Sequence, residues 1–359
     1  MASERVKKLA KLLVDYSTKV KKGDRVQIDA NAIAEPLVKE VYRLCLQKGA
    51  FVTVKIKFSG MDRIFYEHAS DAQLKEFPKS EIDKIKNTDV YIAIQGITNT
   101  RELSSIDPKK ISVRNSAVEP HRQIRLKKRW VICDYPTEAL AMEADMGLEE
   151  YKNFLYRACN VDYKKMEKKY AKIKKLIDAG KTMRIMGENT DIRFRINGMI
   201  GYNKQGDKNV PDGEVFTAPE KTKTEGYIEF SYPAIRSGVE VEGIRLEFKK
   251  GKVVKATARK NEKFLKQMIN SDAGSSYLGE IGIGVNYNID KYTKNLLFDE
   301  KIGGTIHLAL GMAYPECCDW NKKELNKSAL HWDIVKDLRK KGEIWIDDKL
   351  VQKNGKFLV

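Results

Sequence analysis

Between Gly23 and Phe58 the chain offers a strand, a helix and a second strand with hardly a residue to spare. GDRVQIDA (Gly23 to Ala30) alternates apolar and polar residues and then meets Asn31, a turn or cap residue. AEPLVKEVYRLCLQKGA follows, with Leu37, Val38, Val41, Tyr42, Leu44 and Cys45 at helical spacing and Gly49 as its stop. FVTVKIKF begins at once and is rich in β-branched residues. Two strands joined through a helix of this length run parallel, with a right-handed crossover that lays the helix on the sheet.

The same grammar continues with DVYIAIQG (89 to 96), KISVRNS (110 to 116) and WVICDYP (130 to 136), each predicted as a strand covered on both faces, with helices between them. Residues 1–146 are therefore expected to form an open α/β domain on a parallel sheet. That region has no GxGxxG or GxxxxGK[ST] motif, so neither dinucleotide nor nucleotide binding has support. Residues 147–180 read as one long amphipathic helical linker, with Tyr151, Phe154, Leu155, Tyr163, Met166, Tyr170, Ile173, Leu176 and Ile177 as apolar positions and Gly180 as its end. Beyond it the period falls toward two: TMRIMGE, IRFRING, YIEFSYPAI, GIRLEFKKGKVVKATA and EIWIDDKL predict short strands, and residues 181–359 a strand-rich α+β domain. A chain of 359 residues exceeds what one hydrophobic core usually serves, which agrees with two domains.

The net charge of +17 raises the question of a nucleic-acid partner. Its distribution argues against one. Lysines at 164–175 and 322–327 are mixed with glutamates and apolar spacers, as on a solvated helix face, without a recognition motif or stacking aromatics beside them. Cys45, Cys133, Cys159, Cys317 and Cys318 show no CxxC spacing, and their odd number argues against a disulfide framework; a reducing compartment, by default the cytoplasm, is expected. Val6, Leu9, Leu12, Leu13 and Tyr16 form a helical stripe interrupted by lysines, not a signal segment. No window approaches the roughly 20 apolar residues of a membrane span, so no membrane association is expected.

Chemistry concentrates in the C-terminal part. Glu214 sits in VPDGEVFTAPE between a glycine and an apolar pair, a setting that by itself is common for an exposed turn residue. Glu280, in GSSYLGEIGIGVN, is the only charged group from Ala273 to Tyr287, and if that window is buried something must satisfy the carboxylate. The glycines there would suit an active-site loop, while Ile281, Ile283 and Val285 alternate like a strand. His307 lies in an apolar run behind Glu300 and a Gly-Gly turn, and Tyr314, seven positions on, shares its face if the intervening segment is helical. His331 and Asp333 are two apart and share a face if extended; a plain hydrogen-bonded pair would look the same. Carboxylates with imidazole suit Zn²⁺, Co²⁺ or Mn²⁺, with Mg²⁺ as a further candidate, and this inventory is enough for two divalent ions. Cys317 and Cys318 lack structural-site spacing and are read as packing residues.

GEVFTAPE, LGEIGIGVN, DEKIGGTIHLALGMAY and HWD, in that order, resemble the metal-dependent aminopeptidase family of thermophilic aminopeptidase T and staphylococcal aminopeptidase S. The resemblance implies Glu214, Glu280, His307, His331 and Asp333 as metal ligands, Glu300 as a further ligand whose spacing to the histidine differs from the family's, and Tyr314 as the active-site tyrosine. Glu214 and Glu280 are the catalytic carboxylates this reading favours, although Glu300 carries the same group and is equally a candidate for the general base. It further implies removal of the N-terminal residue of peptides with broad specificity, favouring apolar or basic first residues, by a homodimer. Another metal-dependent amidase or an esterase would use the same water chemistry, and a non-enzymatic nucleic-acid-binding protein is the more remote alternative.

Overall fold

The computed structural model describes residues 2–236, 238–319 and 325–359. The chain is a mixed α/β protein with a parallel sheet in its N-terminal part and a strand-rich C-terminal part. It forms two compact units: residues up to Val161 with Gly206–Pro211, and Asp162–Gln205 with Asp212–Val359.

In the first unit the order across the sheet is Phe51–Lys57, Arg25–Asn31, Val90–Gln95, Arg129–Asp134 and Asn209–Val210, all parallel. Val26, Ile28, Val90, Ile92, Ile94, Val131 and Cys133 are buried, as the apolar runs require. The crossover helix is Glu35–Gln47, and Gly49 follows with φ +77°, a conformation that costs a glycine little. Asn31 does not cap that helix. Its side-chain oxygen instead accepts from the Gly96 amide at 2.9 Å, tying the ends of two neighbouring strands. The last strand was not legible in sequence, because it is two residues long and reaches the sheet from beyond the expected linker.

KISVRNS is not a strand. It lies inside the helix Pro108–Leu126, which Asp107 caps by accepting from the Lys109 amide and which Pro108 starts with a preset φ. Ile111 and Val113 pack from this helix against the cluster of Tyr66, Leu74 and Ile106. The segment expected as one long helix is two, Leu148–Cys159 and Tyr163–Ala179. Asp162 caps the second by accepting from the Lys165 amide at 3.0 Å, a start signal that the continuous apolar stripe concealed. In that second helix Tyr163, Tyr170, Ile173 and Ile177 are buried. Lys322 and Lys323 lie outside the described residues, and Leu325–Lys327 are not helical.

Among the described residues the second unit holds two main antiparallel sheets over one hydrophobic core, with a separate antiparallel pair of short strands, Ala234–Arg236 and Val239–Val241. The larger runs from Lys252–Thr257 through Arg245–Lys249, Thr224–Glu229, Thr190–Arg195, Thr182–Gly187 and Glu343–Ile346 to Lys349–Lys353 and Lys356–Phe357. The smaller has the order His331–Asp337, Thr305–Gly311, Leu278–Gly284, Glu214–Thr217. Among the described residues no helix is long and apolar enough to cross a membrane.

Candidate metal centre

The smaller sheet separates core from chemistry by the two-residue period of its strands. Val215, Ile281, Ile283, Ile306, Leu308, Leu310 and Ile334 fall on alternate positions and join the hydrophobic core. The intervening positions carry Glu214, Glu280, His307, His331 and Asp333. Register then sets them side by side. Glu280 and Asp333 both pair with Ala309, His307 pairs with Gly282 and Val335, Glu214 pairs with Gly284, and His331 pairs with Gly311. Glycine or alanine thus stands between the functional side chains, leaving them room to converge above the sheet.

The glycine-rich segment is therefore not an active-site loop but the buried strand Leu278–Gly284, as the alternation of Ile281 and Ile283 indicates, and its glycines serve close approach. A β-carbon on Gly279 would stand 2.1 Å from the Met312 carbonyl oxygen, so that position accepts nothing larger. His307 is likewise on a strand, so the helical face proposed for it and Tyr314 does not exist. The backbone turns at Gly311, with φ +102°, and brings Tyr314 back by another route. Its ring lies 5.0 Å from that of His331 and 5.7 Å from that of Phe216.

The ligating atoms form overlapping triads: Glu214, Glu280 and His307; Glu280, His331 and Asp333; Glu300, His307 and Asp333. Within each triad the donor atoms lie within 4.8 Å of one another. Glu280 divides its carboxylate, with Oε1 3.3 Å from His307 Nε2 and Oε2 3.4 Å from His331 Nε2. His307 Nε2 is also 3.2 Å from Glu214 Oε2, and His331 Nε2 is 3.4 Å from Asp333 Oδ2. Both imidazoles are held from behind. His307 Nδ1 meets the Glu300 carbonyl at 3.1 Å and His331 Nδ1 the Met312 carbonyl at 2.8 Å. A carbonyl only accepts, so each Nδ1 carries a proton and each Nε2 is the atom offered to the centre.

These residues fit a pair of divalent cations. Asp333 Oδ1 is buried with no hydrogen-bond partner, an expensive condition for a carboxylate oxygen unless a cation meets it. Glu214, Glu280, Glu300 and Asp333 face one another in a region where Glu280 and Asp333 are 3% and 7% exposed, a concentration of negative charge that requires cations.

Sequence reasoning missed one of the charges that answers this demand. Lys301 is fully buried, with Nζ 2.6 Å from Glu214 Oε1 and 2.6 Å from Glu300 Oε1. Three charges in a row, Asp299, Glu300 and Lys301, interrupt an otherwise apolar run, and that was the available clue. Arg236, also unanticipated, donates to the His331 carbonyl at 2.8 Å and fixes the start of that strand.

Electrostatics follow the geometry. Burial works to raise the Glu214 carboxyl, but Lys301 and His307 outweigh it and hold it at about 2. Burial pushes Glu300 up to about 7, against the pull of Lys301. Burial also raises Glu280, opposed by His307. His331 would be lowered by burial, yet Asp333 brings it to about 10, while burial's tendency to raise Asp333 is overcome by His331, which holds it below the usual carboxylate range. Burial first, then Glu280 and Asp333, raises the Tyr314 phenol, which keeps its proton at neutral pH.

Comparison with known proteins places this arrangement. The chain is 25% identical to "Aminopeptidase AmpS" of Bacillus subtilis over 93% of its own length and 92% of that protein's. Its structure superposes on wild-type AmpT of Thermus thermophilus with a TM-score of 0.87 at 22% identity, covering 99% of each chain. A 2,5-dihydroxypyridine dioxygenase of Pseudomonas putida shares the fold more distantly, with a TM-score of 0.58 at 14% identity over 98% of this chain and 96% of that one. A family model described as thermophilic metalloprotease (M29) matches residues 2–357, and the chain belongs to that family.

Proposed function

We propose that this chain is a metal-dependent aminopeptidase that hydrolyses the bond after the N-terminal residue of peptides, working at a two-metal centre shared through Glu280. The observation that carries this reading is the division of the Glu280 carboxylate between two histidines, which makes it common to the triad with Glu214 and His307 and the triad with His331 and Asp333. Two divalent ions there would supply an acidified water and polarise the scissile carbonyl. Zn²⁺, Co²⁺ and Mn²⁺ suit the mixed nitrogen and oxygen donors.

The remaining steps belong to side chains. Glu300, outside the two triads that share Glu280, accepts the proton of the attacking water. Tyr314 retains its proton and donates a hydrogen bond to the oxyanion that develops on the carbonyl. Specificity is broad, and the enzyme acts in the cytoplasm as a homodimer. Five buried cysteines without a disulfide are compatible with a reducing compartment.

The test is release of leucine from a Leu-initiated peptide, free and N-acetylated, by metal-stripped protein reconstituted separately with Zn²⁺, Co²⁺ and Mn²⁺. Metal-restored cleavage of the free peptide alone, abolished in Glu280→Gln, is the expected result. Equal cleavage of the acetylated peptide would replace this reading with a general metal-dependent amidase.

A further inference from the structure

Lys301 has no place in the chemistry above, yet its side chain is 1% exposed, as little as that of His307 and far less than the 13% of Glu214 and 14% of Glu300. A lysine is not buried this completely without a purpose in charge or geometry. The main chain locks it in position. Its amide donates to the Phe298 carbonyl at 3.0 Å, and its carbonyl accepts from the Asn286 amide at 3.1 Å. The short helix Leu296–Asp299 before it is capped by Asn295, whose side chain accepts from the Leu297 amide.

The two carboxylates it holds are tied to it in the same way. Glu214 gives Oε1 to the lysine and keeps Oε2, which is buried without a hydrogen-bond partner and points toward His307 Nε2. Glu300 also gives Oε1 to the lysine. We infer that Lys301 is a positioning residue that acts as a fixed third cation of the centre, taking one oxygen of Glu214 and one of Glu300 and so limiting each to a single oxygen for metal or proton.

The inference rests on the two-metal reading and deepens it. It also makes an unusual prediction, because a fixed ammonium competes with metal for the same oxygens: removing it must tighten metal binding while slowing the reaction. An ordinary structural lysine would give no such gain. The competition is strong at these distances, since unit charges a few ångströms apart in a buried site interact by far more than thermal energy.

The experiment titrates Zn²⁺ and Co²⁺ into metal-stripped full-length protein, by calorimetry and by competition with a chromogenic chelator, for wild type, Lys301→Gln, Lys301→Met, Glu300→Gln and the Lys301→Gln/Glu300→Gln double variant. Lys301→Gln should bind at least one metal equivalent about tenfold more tightly or better. Its kcat should fall by about tenfold or more with KM nearly unchanged. The double variant should lose part of that gain, because one of the two carboxylates that Lys301→Gln frees is then absent. Unchanged or weaker metal binding in Lys301→Gln, in a protein that circular dichroism shows to be folded, would overturn the proposal. Should Lys301→Met alone unfold, the glutamine pair still decides it. Because metal binding is read without substrate, failure here is distinguishable from failure of the aminopeptidase reading.

Discussion

The His307 imidazole lies across Gly282 so closely that a β-carbon on the glycine would stand 2.0 Å from Nε2. Side-chain atoms do not approach that far without displacement, so Gly282→Ala must push His307 off its line to Glu280 and Glu214. The expected outcome is a folded protein destabilised by about 1–3 kcal/mol, the usual range for overpacking. It should also show weakened metal binding and a kcat/KM lower by about a hundredfold, a misplacement of the order of an ångström being enough for this. Thermal unfolding of the metal-free form, paired with metal titration, separates the two effects.

This contact shows what the sequence concealed. Glu280 alone among uncharged neighbours, and His331 two residues from Asp333, were legible because isolation of a charge and period-two spacing are local properties. Gly282 facing His307 depends on the pairing of distant strands, and the purpose of a glycine is set by its cross-strand neighbour. Lys301 was missed for the same reason, since it lies in a turn and its partner Glu214 is on a strand distant in sequence. KISVRNS failed differently: β-branched content suggested a strand, but the Asp107–Pro108 start outweighed it.

Tyr314 bears on the reaction without being among the candidate ligands. Tyr314→Phe should leave metal stoichiometry unchanged and lower kcat by about a hundredfold, the scale of a lost oxyanion donor. Full activity with full metal content would remove the tyrosine from the mechanism.

Metal uptake should depend on pH through His331. Asp333 raises this imidazole to about 10 in the metal-free protein, against the effect of burial, so near neutral pH a metal must displace a proton from Nε2. Affinity therefore rises with pH, by about tenfold per unit for each proton displaced, and levels off once the imidazole is neutral. Calorimetry in buffers of differing ionisation enthalpy counts the protons released. An affinity flat between neutral and mildly alkaline pH would contradict the assignment of His331 as a protonated ligand of the metal-free site.

Asp337 closes the strand that begins with His331, and its carboxylate accepts from Arg339 Nη2 at 2.7 Å and from the Tyr232 hydroxyl at 2.9 Å. Burial works to raise its carboxyl, but these donors prevail and hold it below the ordinary 3.8. The folded form thus takes up its proton at lower pH than the unfolded chain. The stability this provides is complete above the unfolded value and is lost as pH falls through the folded one. Asp337→Asn should cost about 1 kcal/mol at neutral pH, a modest figure because Arg339 is partly exposed to water. The difference from wild type should shrink as pH drops below 3.8. Thermal midpoints of the metal-free proteins across the acid range test this, and a gap that stays constant or widens on acidification would mean that Asp337 contributes through packing rather than charge.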